Sequence, residues 1–227
     1  MHTLRVTHKF KYHTLTRVES NGVRFYETPS GTLVPSVTTI LSSTKDPSHI
    51  VAWQQRVGVE AAEKIRNESA RIGTGMHTNL ENAIFSRPLQ GNYLEKTLAN
   101  NIIKNGFAKL SEVWAVEAPL YSENLYAGTT DLVAVHMNGE PTIVDFKNSR
   151  NPKKSEWIDD YRAQLGAYAL AHNEMYGTNI QQGMIMMACW TGDYQEFLFS
   201  GDDFVRCVEL WIARLTKYLE SGISSSS

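Results

Sequence analysis

Asp145 and Lys147 stand two residues apart at the end of Pro141-Thr-Ile-Val-Asp-Phe-Lys147, an apolar run that reads as a β-strand. Side chains alternate along a strand, so Ile143, Asp145 and Lys147 share one face and Thr142, Val144 and Phe146 the other. A carboxylate at a strand end can bind a hard cation, and a neighbouring ammonium can hold or deprotonate a water. This spacing alone is met more often as a surface ion pair closing a strand. Asp131 shifts the weighing. It opens the apolar run Leu132–Val135, and Asn138-Gly139 between the two runs is a strong hairpin signal. Asp131 lies seven residues before that turn and Asp145 six after it, so the hairpin brings the acids together on adjacent strands. Two such carboxylates repel unless a cation neutralises them. Gly128, just upstream, allows another group to approach the backbone closely.

Five more residues could fit such a site, each with a plainer alternative. Glu117 sits inside the apolar run Trp114–Leu120, and either a solvated face or a site accounts for it equally well. Gln164 and Tyr168 are four apart on a helix and share a face, which alone reads as helix-surface polarity. His77 and Glu81 share a helical face after Gly73-Thr-Gly75. They could ligate metal, but no HExxH accompanies them, and the glycines lack the GK[ST] of a phosphate loop. Neither GxSxG nor CxxC occurs. Cys189 and Cys207 read as buried free thiols in a reducing compartment.

The elements that must position these residues follow from pattern. Residues 23–27 and 32–34 form a hairpin around Thr28-Pro-Ser-Gly31, and Ser36–Leu41 starts a short helix or turn. A helical region covers about 48–86, apolar at Ile50, Trp53, Val57 and Ala61 and interrupted at Gly73 and Gly75. A helix over 92–111 carries Leu94, Leu98, Ile102, Ile103 and Phe107 on one side. Strands 113–121, 125–136 and 141–146 come next, then a helix over 156–176 ended by Gly177 and strands at 180–189 and 195–199. A last helix at 203–220 has Val205, Val208, Ile212, Leu215 and Leu219 as its apolar stripe. The order predicts an α/β domain (α+β, mixed sheet) in one unit. Its parts are an arm and hairpin at 1–45, a helical region at 46–111, the core at 112–200, the C-terminal helix at 201–221 and a tail at 222–227.

Net charge is −2 with a pI near 6.4, which weighs against a passive nucleic-acid coat. Basic residues are instead local. Arg5, Lys9, Lys11 and Arg17 lie in the first seventeen residues, which lack acids, and Lys147, Arg150, Lys153 and Lys154 fall within eight residues. Either group by itself reads as a solvated face. No apolar run is long enough for a membrane span or a secretory signal, so an intracellular protein without a removed segment is expected.

The ordered set GTGMHTNLE (73–81), Glu117, GTTD (128–131), IVDFK (143–147) and QLGAY (164–168) resembles the PD-(D/E)XK nucleases, in their RecB-like branch. With PSVTTIL (35–41) it looks closest to the mitochondrial genome maintenance exonucleases and their phage relatives, over roughly residues 22–220. The resemblance implies a restriction-endonuclease-like core of helix, three strands, helix and strand. It implies one or two Mg²⁺ or Mn²⁺ ions held by His77, Asp131, Asp145, the Phe146 carbonyl and, through water or a second ion, Glu117. Lys147 then orients or activates the attacking water, supported by Gln164 and Tyr168. Region 48–111 becomes a helical arch for single-stranded DNA ends, and Trp53, Tyr93 and Phe107 are candidates for base stacking beside the stronger expectation of core packing. Ser149, Arg150, Lys153 and Lys154 become phosphate contacts. The expected protein is a monomeric exonuclease of the cytoplasm (the host's, if phage-encoded) rather than the mitochondrion. A structure-specific endonuclease and an inactive DNA-binding fold remain as alternatives.

Overall fold

Short stretches of alternating residues build a small antiparallel sheet, β1 (Thr16–Ser20), β2 (Val23–Glu27) and β3 (Leu33–Pro35), in the computed structural model, which describes residues 4–20 and 22–222. The β2–β3 hairpin matches the sequence expectation, with Tyr26 opposite Val34. β1 directly follows Leu4, Val6, Phe10, Tyr12 and Leu15, a pattern that reads as a strand or arm. Upstream of it the arm reaches across the molecule, Val6 bridging Val113 and Phe10 and Tyr12 packing on the core. Ser36 then caps α1 (Val37–Ser43), its Oγ accepting the Thr39 N–H at 3.0 Å.

The helical region divides differently from its sequence reading. α2 (Ser48–Val57) and α3 (Val59–Ile84) part at Gly58, whose φ of +86° suits glycine alone. α3 runs unbroken through Gly73 and Gly75, where an interruption was expected. Both glycines make room for neighbours instead: a Cβ would lie 2.7 Å from Asn148 Nδ2 at Gly73 and 2.6 Å from Glu95 Cγ at Gly75. Packing of the rest of the helix outweighs the weak helix propensity of two glycines. Among the described residues of α2 and of α3 before Ile72, Ala62 alone is buried, and Ile50, Val51 and Val59 are exposed. α4 (Tyr93–Asn105) opens on a capping box between Asn92 and Glu95 and stops at Gly106, short of the predicted end. Phe107 is buried, as core packing requires, whereas Tyr93 is exposed.

The main sheet has five strands in sequence order: β4 (Leu110–Ser122), β5 (Tyr126–His136), β6 (Pro141–Ser149), β7 (Gln182–Cys189) and β8 (Tyr194–Ser200). All neighbours are antiparallel except β6 and β7, which α5 (Asp159–Tyr176) connects in parallel. Alternation assigns the faces. Ile143, Ile185 and Met187 pack with α1, α5 and α6 (Asp202–Glu220), while Val144, Phe146, Met184 and Met186 pack with α3 and α4. The architecture is therefore mixed α/β, with a mixed sheet between helical layers. No helix among the described residues is long and apolar enough to cross a membrane. Cys189 and Cys207 are buried free thiols, and burial pushes the Cys207 thiol up to about 12.

α6 corrects the predicted stripe. Val205, Ile212 and Leu219 are exposed, Val208 and Leu215 half-buried, and the buried residues are Phe204, Cys207, Trp211 and Tyr218. Large aromatic side chains remove more apolar area from water than Val, Ile or Leu, so they set the rotation of the helix.

His172 on α5 ties the arm to the core. It is fully buried, bonded to Tyr12 Oη at 2.9 Å and Thr178 Oγ1 at 2.8 Å, with Phe10 and Tyr176 against its ring. Burial, helped by the Lys9 charge, lowers its pKa to about 4. The neutral ring is thus the folded form. Its contribution is complete above the unfolded pKa near 6.5 and is lost as pH falls from there toward 4, by up to about 3 kcal/mol. Thermal melts of wild type and His172→Gln across pH 4–7 should show a shallower acid slope in the variant. Parallel slopes would remove His172 from the acid response.

Candidate metal centre

Two chain segments far apart in sequence meet at the top of β5 and β6. Leu132 pairs with Val144, so Asp131 and Asp145 lie one step beyond the last paired residues, side by side as the hairpin requires. Asp131 is 9% exposed and Asp145 2%. The Phe146 N–H donates to Asp131 Oδ2 at 2.5 Å, fixing that carboxylate across the strands. Its other oxygen, Oδ1, meets His77 Nδ1 at 3.1 Å, so α3 delivers the imidazole to the sheet. The His77 ring also packs edge-on to Phe146.

Lys147 Nζ lies 2.5 Å from Asp145 Oδ2 and donates to Gln164 Oε1 at 3.3 Å. Asp145 Oδ2 is buried and meets this ammonium as an ion pair, with no other partner among the described residues. Tyr168, one turn after Gln164, is buried beside them. It fits because of Gly128, where a Cβ would stand 2.8 Å from the Tyr168 hydroxyl oxygen. The close approach expected at Gly128 is therefore made by a tyrosine ring.

Glu117 completes the group through an unusual backbone. Its φ is +50°, the left-handed region, although it lies within β4. Val116 packs toward one sheet face and Ala118 toward the other, so the pleat reverses at Glu117. A non-glycine residue held this way is strained, and such strain collects at functional sites. Ligand atoms of His77, Glu117 and Asp131 all fall within 4.8 Å of one another.

Electrostatics make the centre internally tense. Burial opposes charge on His77, but the Asp131 carboxylate outweighs it and holds the imidazole pKa above its ordinary value. Burial likewise opposes ionisation of Asp131, yet His77, Lys147 and the Phe146 N–H keep its pKa low. Asp145 goes the other way: burial, with Asp131 adding to it against the pull of Lys147, raises its pKa to about 6. Partial burial and the Asp131 charge push Glu117 up to about 7. Burial disfavours the Lys147 ammonium, but Asp145 and Asp131 hold its pKa above the usual range. Carboxylates crowded beside an imidazole suit a hard divalent cation with oxygen and nitrogen ligands.

The site opens into two adjoining cavities. One of about 600 Å³ runs along α3 past Ser69, Gly73, Thr74 and Glu81. The other, of about 300 Å³, contains Asp145, Lys147, Gln164 and Tyr168. His77, Glu117, Asp131 and Arg24 line both. The loop after β6 borders the cavities without lining them. Arg150 pairs with Glu68 and lies over Trp190, Lys153 donates to Tyr161 Oη at 3.0 Å, and Lys154 is 3.9 Å from Glu156. Neither Ser149 nor these three lines either cavity. Sequence reasoning missed Arg24 and Asn148. Asn148 follows Lys147 directly, lines the larger cavity and accepts from Trp190 Nε1 at 3.1 Å. Arg24 gives no local signal, because only the docking of the small sheet brings it here.

No family model matches the sequence, and no curated protein matches it. Among solved structures, a protein from Eubacterium rectale described as a candidate exonuclease superposes with a TM-score of 0.50 at 13% identity, covering 70% of this chain and 69% of that one. The protein SSO0001 gives a TM-score of 0.43 at 17% identity, covering 81% of this chain and 76% of that one. The first likeness extends to the fold.

Proposed function

We propose that this chain is a Mg²⁺- or Mn²⁺-dependent deoxyribonuclease of the PD-(D/E)XK superfamily, RecB-like branch, acting as an exonuclease on single-stranded DNA ends. One observation carries the reading: His77, Asp131, Asp145, Lys147 and Gln164 converge at one cavity. The order α4, β4, β5, β6, α5, β7 agrees with a restriction-endonuclease-like core. The description of the Eubacterium rectale protein points the same way. The kinship with mitochondrial genome maintenance exonucleases and their phage relatives belongs to this reading, as does a single catalytic unit working as a monomer in the cytoplasm.

His77, Asp131, Asp145 and Glu117 are the residues to hold one or two ions, with the Phe146 carbonyl adjacent. A bound ion supplies charge neutralisation at the scissile phosphate and at the departing 3′-oxygen, and lowers the pKa of attacking water. The chain's own groups do the positioning. Asp131 is fixed by the Phe146 N–H, so its second oxygen is presented to the centre. Lys147, charged and aimed by Asp145 and Gln164, stabilises negative charge on the attacking oxygen. Tyr168 packs behind Gln164 and fixes that helix turn against Gly128. α2 and the outer half of α3, which bury little, form the arch around an entering strand. The loop 149–154 lies outside the cavities and serves, in this reading, as an outer phosphate contact.

The test uses end-labelled linear and circular single-stranded DNA with Mg²⁺, Mn²⁺ or EDTA. Linear strands should be shortened with metal and spared in EDTA. Failure to cut with either metal overturns the nuclease reading, and efficient cutting of circles replaces exonuclease by endonuclease.

A further inference from the structure

We infer that Arg24 is a phosphate-binding residue of this site, gripping the DNA backbone next to the phosphate being cut. The inference rests on the nuclease reading and adds a residue from outside its catalytic motifs.

Arg24 is on β2, in the middle of the small sheet, hydrogen-bonded between β1 and β3. Its backbone carbonyl accepts from the Ser36 N–H at 2.9 Å and Thr39 Oγ1 at 2.9 Å, so the residue sits on a fixed support. The sheet in turn touches β5 through the Ser36–Ala127 bridge. Arg24 and Tyr26 are two apart on β2 and share a face, and Arg17 lies opposite Tyr26 on β1. Arg17, Arg24 and Tyr26 all line the smaller cavity, so this face of the sheet forms its wall.

Arg24 differs from Arg17 in lacking an acidic partner. Glu19 is directly opposite it in the β1–β2 register, yet bonds Arg17 at 3.2 Å. Arg24 Nε is buried with no hydrogen-bond partner, and no acid among the described residues pairs with it. A guanidinium left like this, at the junction of both cavities, is matched to a ligand that brings paired oxygens and negative charge. A backbone phosphate is that ligand. A strand running from one cavity to the other past His77, Glu117 and Asp131 must also pass Arg24. The contact carries no base information and therefore positions the strand without reading it.

The test measures binding of an end-labelled single-stranded oligonucleotide against salt in a Lys147→Ala background, and KM and kcat in the otherwise native chain. Arg24→Gln should raise Kd and KM about tenfold, with a smaller fall in kcat, as expected for one lost charge-assisted contact. The slope of log K against log salt should fall by about 0.7, the share of one phosphate on a single strand. Arg24→Lys should restore the slope. Thermal melts identify folded variants, and Gln and Lys are compared at equal fold. An unchanged slope and KM in Arg24→Gln, while wild type cuts DNA, overturns the role of Arg24 alone. So does a reduced salt slope that Arg24→Lys fails to restore. A wild-type protein that neither binds nor cuts DNA overturns the nuclease reading and Arg24 with it.

Discussion

On the proposed reading, Lys147→Ala should cut DNA about 10²–10³-fold more slowly while still binding it, the range expected when one preorganised charge-stabilising group is lost. The side chain reaches the reacting region from a strand end, held by Asp145 at 2.5 Å and Gln164 at 3.3 Å. In the proposed mechanism alanine removes the group that aims charge at the attacking oxygen, and it leaves the carboxylates in place. It should also expose the tension of the centre. Asp145 is 2% exposed, and without the lysine its charge stands next to Asp131 uncompensated. Breaking a buried pair on one side costs about 3 kcal/mol, or roughly 10 °C in Tm for a chain of this size. Mg²⁺ should recover much of that loss, because it replaces the missing positive charge. Single-turnover kinetics, anisotropy and melts with and without Mg²⁺ read these effects separately. Wild-type cutting by the variant would remove Lys147 from the chemistry.

The acid pair and its lysine were legible because they depend on short-range rules. Strand alternation places Asp145 with Lys147, and the Asn138-Gly139 turn fixes the register that sets Asp131 beside them. His77, Glu117, Gln164 and Tyr168 were legible only as members of an ordered motif, since nothing local separates Gln164 from any other polar helix residue. Their convergence depends on how α3 and α5 pack on opposite faces of the sheet, which is tertiary information. Arg24 lay beyond reach for the same reason. Its environment is made by a sheet whose first strand has an exposed, highly polar sequence, TRVES. The failures on helices share another cause. Gly73 and Gly75 look like breakers, but neighbouring side chains occupy the space they leave, and α3 gains that packing. On α6 two stripes compete, and the aliphatic one, at 205, 208, 212, 215 and 219, loses to Phe204, Cys207, Trp211 and Tyr218, each one residue earlier. Spacing measures amphipathicity, whereas buried area decides orientation.

Asp131→Asn should abolish both cleavage and the response of the protein to divalent cation, with the fold retained. The asparagine oxygen can still accept the Phe146 N–H, so the strand-crossing bond that now measures 2.5 Å survives the change. What disappears is the charge that holds His77 at 3.1 Å and joins His77 and Glu117 in one ligand group. A cation at 100 times its dissociation constant stabilises the state it binds by about 2.7 kcal/mol, so wild type should gain about 5–10 °C in Tm with saturating Mg²⁺ or Mn²⁺. The variant should gain almost nothing and lose at least about 10³-fold in activity. Its melting point without metal should stay near the wild-type value. Removing one carboxylate relieves repulsion of Asp145 and Glu117, which offsets the weakened hold on His77. Low activity by itself would not distinguish a lost ion from a distorted hairpin, whereas these two melting curves do. A full metal-induced rise in Asp131→Asn would move the cation away from this centre, whatever the activity of the variant.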